Sequence, residues 1–134
     1  ASLAAVDLDA DPAAVAGLVA RQGRAVGAGA AEVEAATGAV VAALAHPLLR
    51  RARASADVRR EAPAVVQLPD GQLAEGLVDL AFRDEADGAW HVVEFKTDRN
   101  LEPRLGEYTA QLRLYLAAVA RATSAPVRGV LFHL

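Results

Sequence analysis

At 134 residues, with a formal net charge of −3 and 54% hydrophobic residues, the chain suits one domain with a buried core and is not a strongly basic nucleic-acid module. It has no cysteine, which excludes a disulfide framework, a thiolate zinc site and a cysteine nucleophile. No apolar run approaches the ~18 residues of a membrane span and no signal-peptide pattern opens the chain, so a soluble, cytoplasmic protein without a membrane partner is expected.

Asp11-Pro12 is a helix start, an N-cap acid followed by proline at the first helical position. Val15, Leu18, Val19 and Gln22 follow at helical spacing, and the glycines at 27–29 end the segment. A second helix is expected from about Ala31 to Ala45, with Val33, Ala36, Val40, Val41 and Leu44 on one face. Pro47 disfavours helical geometry at His46, and Leu48-Leu49 are expected to begin a short turn that caps the core. Arg50, Arg51, Arg53, Arg59 and Arg60 then crowd together, with Asp57 among them. A solvated loop and a phosphate-contacting rim both fit that pattern.

From Val58 the period becomes that of strands. Val65 to Leu68 is a β-rich run, and Pro69-Asp70-Gly71 signals a turn before a strand from Gln72 to Phe82. Asp84-Glu85-Ala86-Asp87-Gly88 is a second turn, followed by a strand from Trp90 to Thr97. These runs form a three-strand antiparallel meander. After a loop at 100–106, Leu105, Tyr108, Leu112, Tyr115, Leu116 and Val119 mark one face of a helix ending near Thr123. Ala125-Pro126 breaks that helix, and Val127 to Leu134 is expected to be a last strand. The whole of 1–134 is thus expected to be a single α/β domain. With no methionine at all, position 1 included, it is also expected to be part of a longer protein.

The meander carries the chemistry. Lys96 is the only lysine; the rest of the 14 Lys and Arg residues are arginine. Strand alternation puts Trp90, Val92, Glu94 and Lys96 on one face, and Leu77, Asp79 and Ala81 on one face of the preceding strand. A hairpin symmetric about the acidic turn pairs Arg83 with Trp90, Ala81 with Val92, Asp79 with Glu94, and Leu77 with Lys96. The two acids then stand with Cβ atoms about 5 Å apart, a repulsive arrangement that needs a compensating charge. A divalent cation on hard oxygen ligands, Mg²⁺ or Mn²⁺, provides one, with Lys96 beside it to steady charge on a phosphate. An ordinary Glu–Lys cross-strand pair on a solvated face, with Asp79 exposed, is the other reading of the hairpin alone. A non-nuclease α/β interaction domain would carry such a pair.

Gly76-Leu-Val-Asp79, Glu94-Phe-Lys96-Thr-Asp98 and Tyr108-Thr-Ala-Gln111-Leu-Arg-Leu-Tyr115, in that order, resemble the nuclease domain of the PD-(D/E)XK superfamily. The likeness is to the branch attached to UvrD-like and RecB/AddA-type helicases, and it covers about Val40 to Leu134, with Ala45-His-Pro-Leu-Leu49 and Arg59-Arg-Glu61-Ala-Pro63. It implies a restriction-endonuclease-like core, a mixed sheet flanked by helices. It implies a metal-dependent deoxyribonuclease of DNA repair or recombination, with DNA as substrate and a helicase domain as partner. By the resemblance Asp79 and Glu94 are metal ligands, Lys96 is the catalytic lysine, and Glu61 matches the first acidic motif. Gln111 and Tyr115, one helical turn apart, lie beside the active site in that family. A two-residue turn at Asp70-Gly71 would set Ala62 opposite Asp79; a slip of one residue would bring Glu61 there. Helicase-linked members carry a further histidine ligand on an earlier helix, which nothing before His46 supplies here. A chain cut after that helix explains its absence and implies weak activity alone. A catalytically inactive module that holds DNA or docks a helicase is the alternative.

Overall fold

Helix α1 spans Pro12–Val26 and begins as the sequence indicates: the Asp11 side chain accepts from the Ala14 amide, and Pro12 occupies the first turn. Gly27 ends it in the left-handed conformation (φ 72°). Helix α2, Ala30–Leu44, follows after a short link, and Val40, Ala43 and Leu44 are its buried residues. The computed structural model describes residues 6–134; the first five residues of the expected domain lie outside it.

The expected turn after His46 is instead a third helix, α3, Pro47–Ala54. His46 is extended (ψ 141°), as a residue before proline must be, but from there it caps the helix, its Nδ1 accepting from the Leu48 amide at 3.0 Å. Leu48, Leu49 and Ala52 are buried, which throws Arg50, Arg51 and Arg53 outward. Three of the five clustered arginines therefore ride on a helix, and Arg59 and Arg60 lie in a strand.

Strands β1 (Val58–Gln67), β2 (Leu73–Arg83), β3 (Trp90–Lys96) and β4 (Val127–His133) form one sheet in the order β1-β2-β3-β4. The first three are antiparallel, as the meander predicts; β4 joins β3 in parallel. The connection between them is a 3₁₀ turn, Glu102–Arg104, and helix α4, Leu105–Thr123. Gly129 of β4 lies under this crossover: a Cβ there would stand 3.0 Å from side-chain atoms of Leu112 and Leu116. Tyr108, Leu112 and Tyr115 are the buried residues of α4, whereas Leu105, expected on the apolar face, is exposed at the helix start.

Two cores result, one on each face of the sheet. α1–α3 pack with Leu80, Phe82, Val93 and Phe95. On the other face α4 packs with Val66, Val78, Ala81 and Val92. The sheet thus has a parallel edge pair and an antiparallel remainder between helical layers. Among the described residues, no single helix is long and apolar enough to cross a membrane.

Candidate active site

The memberships of those cores contain an irregularity. Simple alternation places Val78 with Leu80 and Phe82, yet Val78 packs with Ala81 on the α4 side, while Leu80 and Phe82 face the other layer. The β2 pleat therefore inverts at Asp79, which corrects the shared face expected for Leu77, Asp79 and Ala81. β1 changes face at the same level: Val58 packs with the α1–α3 layer, and Ala64 and Val66 with the α4 layer. Arg60 pairs with Leu80 and Ala62 with Val78, so Glu61 stands opposite Asp79 at the interruption. Glu61 has φ 46°, a left-handed conformation that costs an ordinary side chain about 1–2 kcal/mol and turns the strand over.

This register requires a longer connection than a two-residue turn. Gln67 pairs with Leu73, and residues 68–72 close the loop through Leu68 N–H to Gln72 O (2.8 Å) and Gly71 N–H to Leu68 O (2.9 Å). The one-residue slip brings Glu61, rather than Ala62, opposite Asp79.

The β2–β3 ladder begins as expected, with Arg83 opposite Trp90 and Ala81 opposite Val92, but its last pair is Leu80 with Val93. The expected Asp79–Glu94 and Leu77–Lys96 backbone pairs are absent from it. The carboxylates close the gap instead. The Asp79 amide donates to Glu94 Oε1 (3.1 Å), and the Phe95 amide donates to Asp79 Oδ2 (2.9 Å). Each acid thereby satisfies backbone that the inverted pleat has stripped of ladder partners.

Their second oxygens bring the cost. Glu94 is 4% exposed, and burial, then the Asp79 charge, push its carboxyl up to about 7. The Asp79 amide and the Lys96 charge pull the other way. Lys96, half-buried, holds its Nζ 4.0 Å from the centre of the Tyr108 ring, and Arg104 lies 4.6 Å from the same ring. Tyr108 Oη donates to the Asp98 carboxylate at 3.0–3.1 Å, which fixes the ring. The lone lysine thus lies over a single tyrosine ring that is itself held by the Asp98 carboxylate.

Glu61 is exposed and lines a cleft of about 620 Å³ with Asp7, Arg53 and Arg60. Burial holds the Arg60 guanidinium below its ordinary value, opposed by the charges of Asp7, Glu61 and Asp79. Arg60 therefore faces acids, and the exposed Arg59 pairs with Asp57 at 3.2 Å. Tyr115 is buried with its hydroxyl against β2, where a Cβ on Gly76 would lie 2.6 Å from it. The Leu77 backbone hydrogen-bonds to that hydroxyl, and burial followed by the charges of Glu94 and Asp79 raises its pKa. Gln111, one turn earlier, is exposed to solvent. His46 caps α3, and His133 Nε2 contacts the Asp98 carbonyl.

One further set escaped the sequence reading. Asp84, Asp87 and His91 each offer a ligand atom within 4.8 Å of the others, a group capable in principle of holding a divalent cation. It lies at the closed end of the β2–β3 hairpin, and His91 is on the opposite face of β3 from Glu94. The signal was an acid spaced i, i+4 from a histidine across a glycine turn, Asp87 to His91, in a stretch that otherwise reads as a solvated loop.

A mixed sheet between helical layers, with two carboxylates interlocked where its pleat inverts and a lysine on the adjoining strand, is the architecture of a restriction-endonuclease-like domain. The sequence model of the PD-(D/E)XK nuclease superfamily matches residues 4–134, and the chain belongs to that superfamily. No curated protein matches it.

Proposed function

We propose that the chain is a Mg²⁺- or Mn²⁺-dependent deoxyribonuclease domain that hydrolyses phosphodiester bonds in DNA repair or recombination, beside a helicase. The observation that carries this reading is the Asp79–Glu94 interlock: two acids, one of them buried, share a strand gap, and burial followed by the Asp79 charge lifts Glu94 to about 7. The donor set fits a hard divalent cation, because Asp79 Oδ1 and Glu94 Oε2 are not spent on those backbone amides and both are carboxylate oxygens. Asp79 and Glu94 would hold the ion, which supplies a Lewis acid for a phosphoryl oxygen and lowers the pKa of water. Lys96 orients the attacking water and steadies the charge developing on the phosphate. Glu61, opposite Asp79, contributes negative charge at the cleft mouth, and Tyr115 fixes β2 against α4 through the Leu77 backbone. Gln111, exposed one turn from Tyr115, would touch DNA in this reading. Attachment to a RecB/AddA-type helicase and an intracellular setting belong to the proposal, and rest on the ordered motifs.

The test is Mg²⁺-dependent cleavage of DNA by the Asp79→Ala and Lys96→Ala variants, with folding monitored by circular dichroism. Loss of about 10²-fold or more in both is expected; full activity in either, in a folded protein, would sink the assignment. The backbone bonds made by both acids also favour a second reading, a non-catalytic module that holds DNA. Salt-sensitive DNA binding that survives Asp79→Ala, without Mg²⁺ binding by calorimetry, would select it.

A further inference from the structure

The closed end of the β2–β3 hairpin is built around one ring nitrogen. His91 is 5% exposed, and its ring stacks on Phe82, 5.0 Å between centres and 11° from parallel. Among the described residues its Nε2 is buried without a hydrogen-bond partner. It faces Asp87 Oδ2 at 3.4 Å and Asp84 Oδ2 at 3.7 Å. Both carboxylates are held by their other oxygens: Asp84 Oδ1 accepts from the Ala86 amide (3.0 Å) and Asp87 Oδ1 from the Ala89 amide (2.8 Å). The turn therefore fixes two carboxylate oxygens towards a buried nitrogen.

A bare ring nitrogen facing two anionic oxygens is repulsive, so a positive centre belongs between them, either a proton or a metal ion. A proton on Nε2 would draw a carboxylate to about 2.7–3.2 Å. The observed separations are longer. Ligand atoms around a tetrahedral zinc ion, with bonds of about 2.0–2.1 Å, stand about 3.3–3.4 Å apart, which matches the Asp87–His91 spacing of 3.4 Å and asks Asp84, at 3.7 Å, to close by a few tenths of an ångström. An octahedral Mg²⁺ shell would bring neighbouring ligands to about 3.0 Å, and one imidazole with two carboxylates suits zinc better. The charges around the set are those of Arg51, 3.3 Å from Asp84 Oδ2, and Arg128, 3.5 Å from Asp87 Oδ2. Their side chains are 52% and 66% exposed, so these ion pairs are solvent-screened and can swing aside.

We propose that Asp84, Asp87 and His91 form a zinc site, separate from the Asp79–Glu94 pair, with a fourth position open to solvent. It fastens the closed end of the hairpin whose open end carries Asp79 and Glu94. The site does not depend on the nuclease reading, since its residues take no part in it.

The experiment is calorimetric titration of the metal-stripped protein with Zn²⁺. One ion per chain is expected, with a rise in the thermal midpoint. Asp87→Asn, a turn substitution that keeps the Oδ1 acceptor for Ala89, should weaken binding at least tenfold. His91→Gln should abolish it; because that residue is buried, Asp87→Asn decides if His91→Gln fails to fold. Asp79→Asn/Glu94→Gln should leave it intact. In ¹⁵N spectra Nε2 of His91 should shift on zinc addition. No binding, or binding unchanged in Asp87→Asn, would overturn the proposal. So would binding lost in Asp79→Asn/Glu94→Gln, or an Nε2 that stays protonated throughout.

Discussion

Glu94→Gln converts the carboxylate with the raised pKa into a neutral side chain that keeps the Oε1 acceptor for the Asp79 amide. The folded-state value of about 7 lies above the ordinary 4.5, so between those values the folded protein holds a proton that the unfolded chain has released. Stability without metal therefore falls as pH rises through that window. Below pH 4.5 the carboxyl is protonated in both states, and the penalty vanishes. Each factor of ten in proton affinity is worth about 1.4 kcal/mol, so the full penalty above pH 7 is about 3 kcal/mol. The difference between Glu94→Gln and the parent isolates this group from every other titration. It should be near zero at pH 4 and reach about 3 kcal/mol in favour of the variant at pH 8. Urea unfolding in the presence of a chelator, followed by the fluorescence of buried Trp90, measures it as a midpoint shift of about 1–3 M. Excess Mg²⁺ should then stabilise the parent at pH 8 and leave the variant unchanged. A difference that does not vary with pH, or a variant less stable than the parent at pH 8, would refute this account of the acid pair.

Gly76→Ala should destabilise the fold by about 1–3 kcal/mol in the same unfolding experiment, because the new methyl meets the Tyr115 hydroxyl 2.6 Å away. Tyr108→Phe keeps the ring under Lys96 and loses the Asp98 bonds, whereas Tyr108→Leu loses the ring as well. If the ring orients the lysine, kcat for Mg²⁺-dependent DNA cleavage should fall about five- to tenfold in Tyr108→Leu with KM little changed, and stay near the parent value in Tyr108→Phe. Equal losses in both would assign the effect to the Asp98 bond instead.

Much of the site was legible because strand chemistry is local. The Asp11-Pro12 helix start, the acidic turn and the Arg83–Trp90 pairing follow from residue type and spacing, and that hairpin register brings Asp79 and Glu94 near each other, although not as the ladder pair expected. Lys96 stands out by composition alone, as the single lysine. The helix at Pro47 was less legible, since the proline that ends one helix also begins the next, and only the burial of Leu48, Leu49 and Ala52 favours the second use.

What the sequence by itself determined is the α/β order of elements, the meander and the acids and lysine it carries, since hydrophobic period and turn residues encode these directly. Tertiary structure decided how the acids are used. Register and loop length set Glu61 opposite Asp79, and the left-handed Glu61 inverts the pleat between two cores that demand opposite faces. That inversion breaks the ladder, and the freed amides capture one oxygen from each acid. Burial between the layers then raises the proton affinity of Glu94, a consequence of desolvation that neighbours in sequence do not carry.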